Sequence, residues 1–459
     1  MTSFKPKGVA GAALLCGSSL LSVSSADKVG GTYPDLCNAG DTDVDLQNSG
    51  LEDDELPDAL LACGDTLVTL WISGNQLSTF PDLSELYNLQ KIYASDNEFT
   101  SVPIGRLPST LVLLDIADNQ LSDFPDLHMF DSLKEVYVAR NGFTSMAVAS
   151  LPSTLVLLDI TGNELSDFPN LSNLASLEEV YVGSNKFTNI QHKGNILLPS
   201  TLVTLDISNN EFSNFPDLSE FDRLQTLMAQ FNKFISIRSE YLPTSCVLQD
   251  VQIQGQEDSE GQGLVFMPDF SQCLDLQKLD ASSNSIASIS SDITICGTAV
   301  MTHIRILNNG MTDFPNLSGC DVQQLYAGGN DFESIPDGHL PSPDFLIKLY
   351  LQNNQIATLP DLSSYSLLTH LDLSVNNLRS LPDLPTPYCV LQELLLRDNS
   401  LTVFPDTYQC DDTNLTVLTE RNNIFAFPTV PDSTIMLLGL QASDAIVGPD
   451  GDTGQLECN

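Results

Sequence analysis

Trp71, Tyr93, Asp115, Tyr137, Asp159, Tyr181 and Asp206 recur every 22 residues, with a last step of 25, and alternate acid with aromatic from Tyr93 onward. Indole and phenol rings anchor protein partners or stack on sugar rings. Carboxylates beside them accept hydrogen bonds from hydroxyl and amide groups. That is recognition chemistry. The residues two further on are small (Ser73, Ser95, Ala117, Ala139, Thr161, Gly183 and Ser208), so rings and carboxylates are expected to stand accessible. Catalysis has no such support. The chain lacks a P-loop, HExxH, CxxC and GxSxG, its five histidines are scattered, and no His is placed beside a Cys. Carboxylate pairs among 60 acids carry no information. The expectation is a protein that is not an enzyme and holds no cofactor or resident metal.

The elements that must position this column are written in a repeated phrase, apolar at positions 1, 4, 6 and 11 and polar at 9. It reads LVLLDIADNQL at 111–121 and LVLLDITGNEL at 155–165. The phrase occurs sixteen times between Leu67 and Phe425. Its ninth residues are Asn75, Asn97, Asn119, Asn141, Asn163, Asn185, Asn210, Asn232, Gln256, Asn284, Asn309, Asn330, Asn354, Asn376, Asn399 and Asn423. Period 2 across positions 2 to 7 predicts a short strand in each unit. The position-9 amide is expected to be buried scaffold that satisfies backbone groups at the turn. Position 5 looks out of the sheet, and after Asp206 it continues through Met228, Gln252, Asp280, Arg305, Tyr326, Tyr350, Asp372, Leu395 and Thr419.

Most units are 22 residues long, which leaves about 11 for the return path, too few for an α-helix and two loops. Prolines in FPDL and LPST segments favour a 3₁₀ or extended return. Units ending in FPDL or FPNL alternate with units ending near LPST or LPTS, so the module is a pair of about 44 residues. Duplication explains the alternation along the column, though not why an outward column is aromatic. Residues 252–264 interrupt the order and are expected to be a local irregularity.

This phrase resembles the leucine-rich repeat family over nearly the whole chain, closest to its short, proline-bearing 20–24-residue classes. The resemblance implies an α/β-type repeat solenoid, a horseshoe with one long parallel sheet on its concave face and a mostly 3₁₀ or extended convex face. It also implies that the concave sheet binds another macromolecule, without naming it.

Cysteine placement follows the same phase. Cys63, Cys246, Cys273, Cys296, Cys320, Cys389 and Cys410 fall 10 to 13 residues before position 9 of their units. Cys37 falls 12 before Ser49 in a degenerate first unit beginning at Val44. Equal phase in neighbouring units brings sulfurs within disulfide reach. The expected pairs are Cys37–Cys63, Cys246–Cys273, Cys296–Cys320 and Cys389–Cys410, with Cys273–Cys296 the main rival and Cys458 left over. Asn170, Asn316 and Asn414 head N-glycosylation sequons, the first two in place of the FPDL aspartate. Asp82, Asp126, Asp217, Asp361, Asp383 and Asp406 hold that aspartate position. Copies two units apart are about 10 Å distant, too far to share one calcium ion, so only weak, diffuse divalent-cation association is expected.

Lys5 and Lys7 before an apolar stretch, closed by Ser24-Ser25-Ala26, read as a signal peptide over 1–26. The expected organisation is then a cap and degenerate repeat at 27–66, a solenoid at 67–443 and a tail at 444–459. The chain carries 18 basic and 60 acidic residues, net −42, or −44 without the leader. That field repels nucleic acid and anionic membrane. No later run of 18 apolar residues could span a bilayer. The sequence therefore reads as a secreted, extracellular, acidic protein that recognises a protein or glycan through its concave sheet. The alternative is a structural component of a cell wall, extracellular matrix or mineral surface.

Overall fold

A computed structural model describes residues 21–22, 40–53, 60, 66–290, 295–385, 390–402, 415–419 and 421–422. The chain forms two compact units, one of residues 1–165 and 174–177, the other of residues 166–173 and 178–459. Each is a parallel-sheet solenoid with almost no helix among the described residues.

The first unit contributes β1 (Leu21–Ser22), β2 (Asp43–Asp45), β3 (Thr69–Trp71), β4 (Lys91–Tyr93), β5 (Leu113–Asp115), β6 (Glu135–Tyr137) and β7 (Leu157–Asp159), each paired in parallel with the next. The second contributes β8 (Glu179–Tyr181), β9 (Gln191–His192), β10 (Asn195–Ile196), β11 (Thr204–Asp206), β12 (Thr226–Met228), β13 (Asp250–Gln252) and β14 (Lys278–Asp280). It continues with β15 (Met301–Arg305), β16 (Val322–Tyr326), β17 (Lys348–Tyr350), β18 (His370–Asp372), β19 (Glu393–Leu395) and β20 (Thr416–Leu418). Its sheet runs β8, then β11 through β20, all parallel. The three extra residues before Asn210 are taken up by the antiparallel β9–β10 hairpin, which turns through Lys193 and Gly194, both at positive φ as a two-residue hairpin turn requires.

Strands form where the phrase predicts them, at positions 3 to 5, with position 4 buried and its neighbours mostly half-buried, as alternation requires. Leucines and isoleucines at positions 1, 4, 6 and 11 are essentially fully buried, as at Leu111, Leu114, Ile116 and Leu121. The return path is extended, with single 3₁₀ turns at Ile104–Arg106, Val148–Ser150 and Ser239–Tyr241. In the LPST units the threonine fixes that path. Thr110 Oγ1 donates to the Leu89 carbonyl at 2.7 Å and Thr154 Oγ1 to Leu133 at 2.8 Å, one unit back.

The asparagine ladder is as expected. Asn119 Nδ2 donates to the carbonyls of Ala94, Ile116 and Ala117 while its Oδ1 accepts the Phe99 N–H, so one amide ties neighbouring turns together. Gln256 does the same work with one more methylene, donating to Ala229 and Ile253 and accepting from Phe234. In the last unit the expectation slipped by one residue. Leu395 pairs with Leu418, and Asn422 reaches the Leu396 carbonyl at 2.8 Å. Position 9 is therefore Asn422 and not Asn423, and position 5 is Leu418 and not Thr419, which is buried.

Position 8 turns the chain into the ladder and is left-handed throughout, from Gly74 and Asp96 to Val375 and Arg421. At each of its four glycines, Gly74, Gly162, Gly255 and Gly329, a Cβ would also crowd the side chain one unit back. A Cβ on Gly255 would strike the ring of Phe231, and one on Gly329 the amide of Asn308, in each case the position-8 side chain one unit back.

Two disulfides close units of the second solenoid, Cys246–Cys273 and Cys296–Cys320, with Cα separations of 4.7 and 5.7 Å. The Cys273–Cys296 rival is not formed. Cys37–Cys63, Cys389–Cys410 and Cys458 lie outside the described residues. Replacing Cys246 and Cys273 together by alanine is expected to cost about 2–3 kcal/mol, from the restored freedom of the unfolded chain. A urea melt of the variant within 0.5 kcal/mol of the wild type, on the same order-of-magnitude scale, would count against that role.

Candidate recognition face

Within the first unit, the sheet pairing brings Trp71, Tyr93, Asp115, Tyr137 and Asp159 side by side on one outward face. In the second unit Tyr181 pairs with Asp206 in the same way. The column is thus assembled as the phrase predicts, but its two residue types play different parts.

The aromatic members are half-buried and ordered by their neighbours. Trp71 and Tyr93 stack with centroids 5.6 Å apart and planes 6° from parallel. Tyr137 donates its hydroxyl to Glu135 at 3.1 Å and Tyr181 to Glu179 at 2.8 Å, the acids lying two residues back on the same strand and face. Rings held this way lose little freedom when a partner covers them.

The acidic members are half-buried too, and their carboxylates are already engaged. Each turns back on its own strand end. Asp115 accepts the Ala117 N–H at 3.1 Å, Asp159 that of Thr161 at 2.9 Å, and Asp206 that of Ser208 at 2.8 Å. Asp280 and Asp372 repeat the bond with Ser282 and Ser374. The small position-7 residue makes room for this. At Gly183 a Cβ would stand 3.0 Å from an Asp206 carboxylate oxygen. The aspartates are strand-end caps before they are ligand contacts.

Capping holds Asp115 in a poorly solvated place. Burial drives its pKa up to about 6, against the Ala117 N–H and Ser95 hydroxyl that favour the anion, with Asp118 and Asp159 adding repulsion. Burial raises Asp159 likewise. A carboxyl raised on folding stabilises the protein below its unfolded pKa and loses that stabilisation as pH climbs through its folded value. Asp115→Asn keeps the acceptor and removes the buried charge. It is expected to be more stable than wild type by about 1–2 kcal/mol at pH 7 and equal to it at pH 4, read as urea midpoints at the two pH values. A variant less stable at pH 7 would contradict this.

The turn aspartates cap as well. Asp82, Asp217 and Asp361 accept the N–H two residues on, and Asn170 and Asn316 do the same from exposed positions. Asp82 has its pKa lowered by the Ser84 hydroxyl and then its N–H, Asp361 by the Ser363 N–H and then its hydroxyl, and Asp126 by the His128 ring. Asn414 and Asp406 lie outside the described residues. Among the described residues no group of three His, Cys, Asp or Glu could hold a metal, and no helix is long and apolar enough to cross a membrane.

Sequence reasoning gave its weight to the first half of the column and passed over a second cluster in β14–β18. There Arg305 lies over the Tyr326 ring at 5.1 Å, and Tyr326 stacks on Tyr350 at 4.8 Å and 12°. Arg305, Tyr326 and Tyr350 all stand in the position-5 list, and Lys278, His303, Lys348 and His370 occupy position 3 beside them. The signal was a run of basic residues at one position in a chain poor in them.

No family model matches the chain. Over 103 residues it is 32% identical to rabbit (Oryctolagus cuniculus) fibromodulin, a stretch covering 22% of this chain and 68% of that protein. Its fold is similar to that of a leucine-rich repeat protein of Leptospira interrogans, at 21% identity over 83% of this chain and 94% of that one, with a TM-score of 0.63. It is similar too to the Arabidopsis receptor kinase HAESA, solved with the peptide hormone IDA and the co-receptor SERK1, at 22% identity over 84% of this chain and 68% of that one, TM-score 0.62. With the parallel sheet, the buried position-9 amide ladder and the extended return path, these likenesses have one reading: the chain belongs to the leucine-rich repeat family.

Proposed function

We propose that the protein is a recognition module, without catalytic chemistry, that binds a protein partner on the outward face of its parallel sheet. The observation that carries this reading is the ring pair Trp71–Tyr93, stacked, half-buried and flanked by Ser73 and Ser95, whose hydroxyls are bonded to each other at 3.1 Å. Large rigid rings over small neighbours give contact area at little entropic cost. HAESA, of similar fold, is complexed with a peptide hormone and a co-receptor. The two disulfides and the leader-like residues 1–26 support an extracellular setting. Asn170 and Asn316, exposed at turns, are the proposed glycan acceptors, and the acidic edge would attract divalent cations diffusely.

The test is capture of partners from culture medium and surface extracts by the full chain and by Trp71→Ala/Tyr93→Ala. At least a tenfold fall in capture is expected, with the fold retained by circular dichroism. Unchanged capture would remove the ring pair from the site. Capture that depends on calcium and ignores the substitutions would favour the matrix reading, and capture that survives deglycosylation of the partners would favour a protein over a glycan ligand.

A further inference from the structure

Basic residues are scarce in this chain, 18 against 60 acids, yet five neighbouring strands of the second unit gather them on one face. Positions 3, 5 and 7 read His303, Arg305 and Leu307 on β15, Gln324, Tyr326 and Gly328 on β16, and Lys348, Tyr350 and Gln352 on β17. No carboxylate stands in that block of nine. Acids flank it instead, and two are already engaged: Asp280 with Ser282 and Asp372 with Ser374. Lys278, on the rim, is paired with Asp250 at 3.2 Å, and Arg305 stands 3.7 Å from Asp280. Lys348 has no ion pair among the described residues.

We propose that this face binds an acidic peptide segment, with Arg305 and Lys348 receiving its carboxylates and the Tyr326–Tyr350 stack receiving a side chain between them. The proposal rests on the reading of the sheet as a recognition surface but locates a separate site with its own ligand chemistry. Three observations converge on it. The first is charge complementarity: the block is a cationic island in a strongly anionic molecule, so it selects carboxylates locally. The second is preorganisation. Arg305, Tyr326 and Tyr350 form a three-layer stack, with the Tyr326 hydroxyl donating to Gln324 at 2.7 Å. The third is an orphaned acceptor. Gln352 Oε1 is enclosed without a hydrogen-bond partner, and Gly328 makes its room, since a Cβ there would stand 2.8 Å from Gln352 Cδ. Turning that amide breaks no bond its oxygen makes, and would offer an acceptor to a peptide N–H.

Net charge decides against a polyanion. Lys348, without an ion pair among the described residues, and Arg305, shared with Asp280, hold one or two carboxylates, whereas a sulfated polysaccharide would meet the repulsion of the −42 chain along its whole length.

The experiment is calorimetric titration of the full chain with capped Glu-Tyr-Glu-Tyr-Glu, compared with Gln-Tyr-Gln-Tyr-Gln, at 50 and 300 mM salt as probe conditions. The acidic peptide is expected to bind at least tenfold tighter than its amide counterpart and to weaken with salt. Arg305→Ala/Lys348→Ala should reduce its affinity tenfold or more, Tyr326→Phe/Tyr350→Phe should change it less than threefold, and Lys134→Ala should leave it unchanged. No binding, equal binding of the two peptides, indifference to the Arg305/Lys348 pair, tighter binding of a heparin fragment, or a dimer of the chain that Arg305→Ala/Lys348→Ala dissolves would each overturn the proposal. Loss of partner capture on Trp71→Ala/Tyr93→Ala bears on the first unit's ring pair alone.

Discussion

Asn232→Ala is expected to destabilise the second unit by about 2–4 kcal/mol. Asn232 is 3% exposed, and four backbone groups converge on its amide. Nδ2 donates to the carbonyls of Ile207 at 2.9 Å, Ala229 at 3.2 Å and Gln230 at 3.3 Å, while Oδ1 accepts the Phe212 N–H at 3.2 Å. All three carbonyls have other partners. Ile207 also receives Asn210 Nδ2, Ala229 receives Gln256 Nε2, and Gln230 the Asn209 N–H. The Phe212 N–H is left orphaned in the core, at about 1–3 kcal/mol, and the lost donors and vacated volume add to this. Urea denaturation measures the loss, and hydrogen exchange should confine it to the flanking turns, because each turn contacts only its neighbours. A variant within about 1 kcal/mol of wild type would mean the ladder is not what holds the turns.

Phe212→Ala is expected to cost about 3–5 kcal/mol, and Phe212→Leu distinctly less. Phe212 is fully buried, lying 6.5 Å from both Phe187 and Phe234 in a file extended by Phe168 and by Phe215. Phe187, Phe212 and Phe234 come from three successive turns, so truncating the middle one opens a gap that its neighbours, fixed by their own strands, cannot close. Phe212 also supplies the N–H that Asn232 receives, so the double variant should lose less than the sum of the two. Strict additivity would show that ladder and ring file act independently.

Much of this was legible in the sequence, because a repeat reports each structural role many times over. The strands and the buried amides including the longer Gln256 follow from phase, which also brought Cys246, Cys273, Cys296 and Cys320 within reach of one another while leaving the Cys273–Cys296 rival open. Phase failed where it was ambiguous. Over TNLTVLTERNN, residues 413–423, Leu415 and Leu418 satisfy the apolar pattern in one register and Val417 and Thr419 in the other, with an asparagine available to each. Pairing with β19 selects the second, burying a threonine that composition alone would leave outside. The capping role of Asp115 and its kin was hidden for a different reason: an outward carboxylate and one folded back onto the next N–H look the same in sequence. The cationic face was hidden because its members lie more than 20 residues apart, each an ordinary surface residue when read singly.

The left-handed residue at position 8 bears on how such a chain can change. Gly255 and Gly329 are small because Phe231 and Asn308, one unit earlier, lie over them. Neighbouring units are therefore keyed to each other in one direction. Excising the unit that contains Gly255 would bring the one bearing Ser283 next to Phe231, and its Cβ would fall where the ring already sits; asparagine is the softer lock, since Asn209 and Asn353 are followed by Phe231 and Val375. A library of spliced lengths should keep those variants whose cuts carry lock and key together, and lose those whose cuts fall between them.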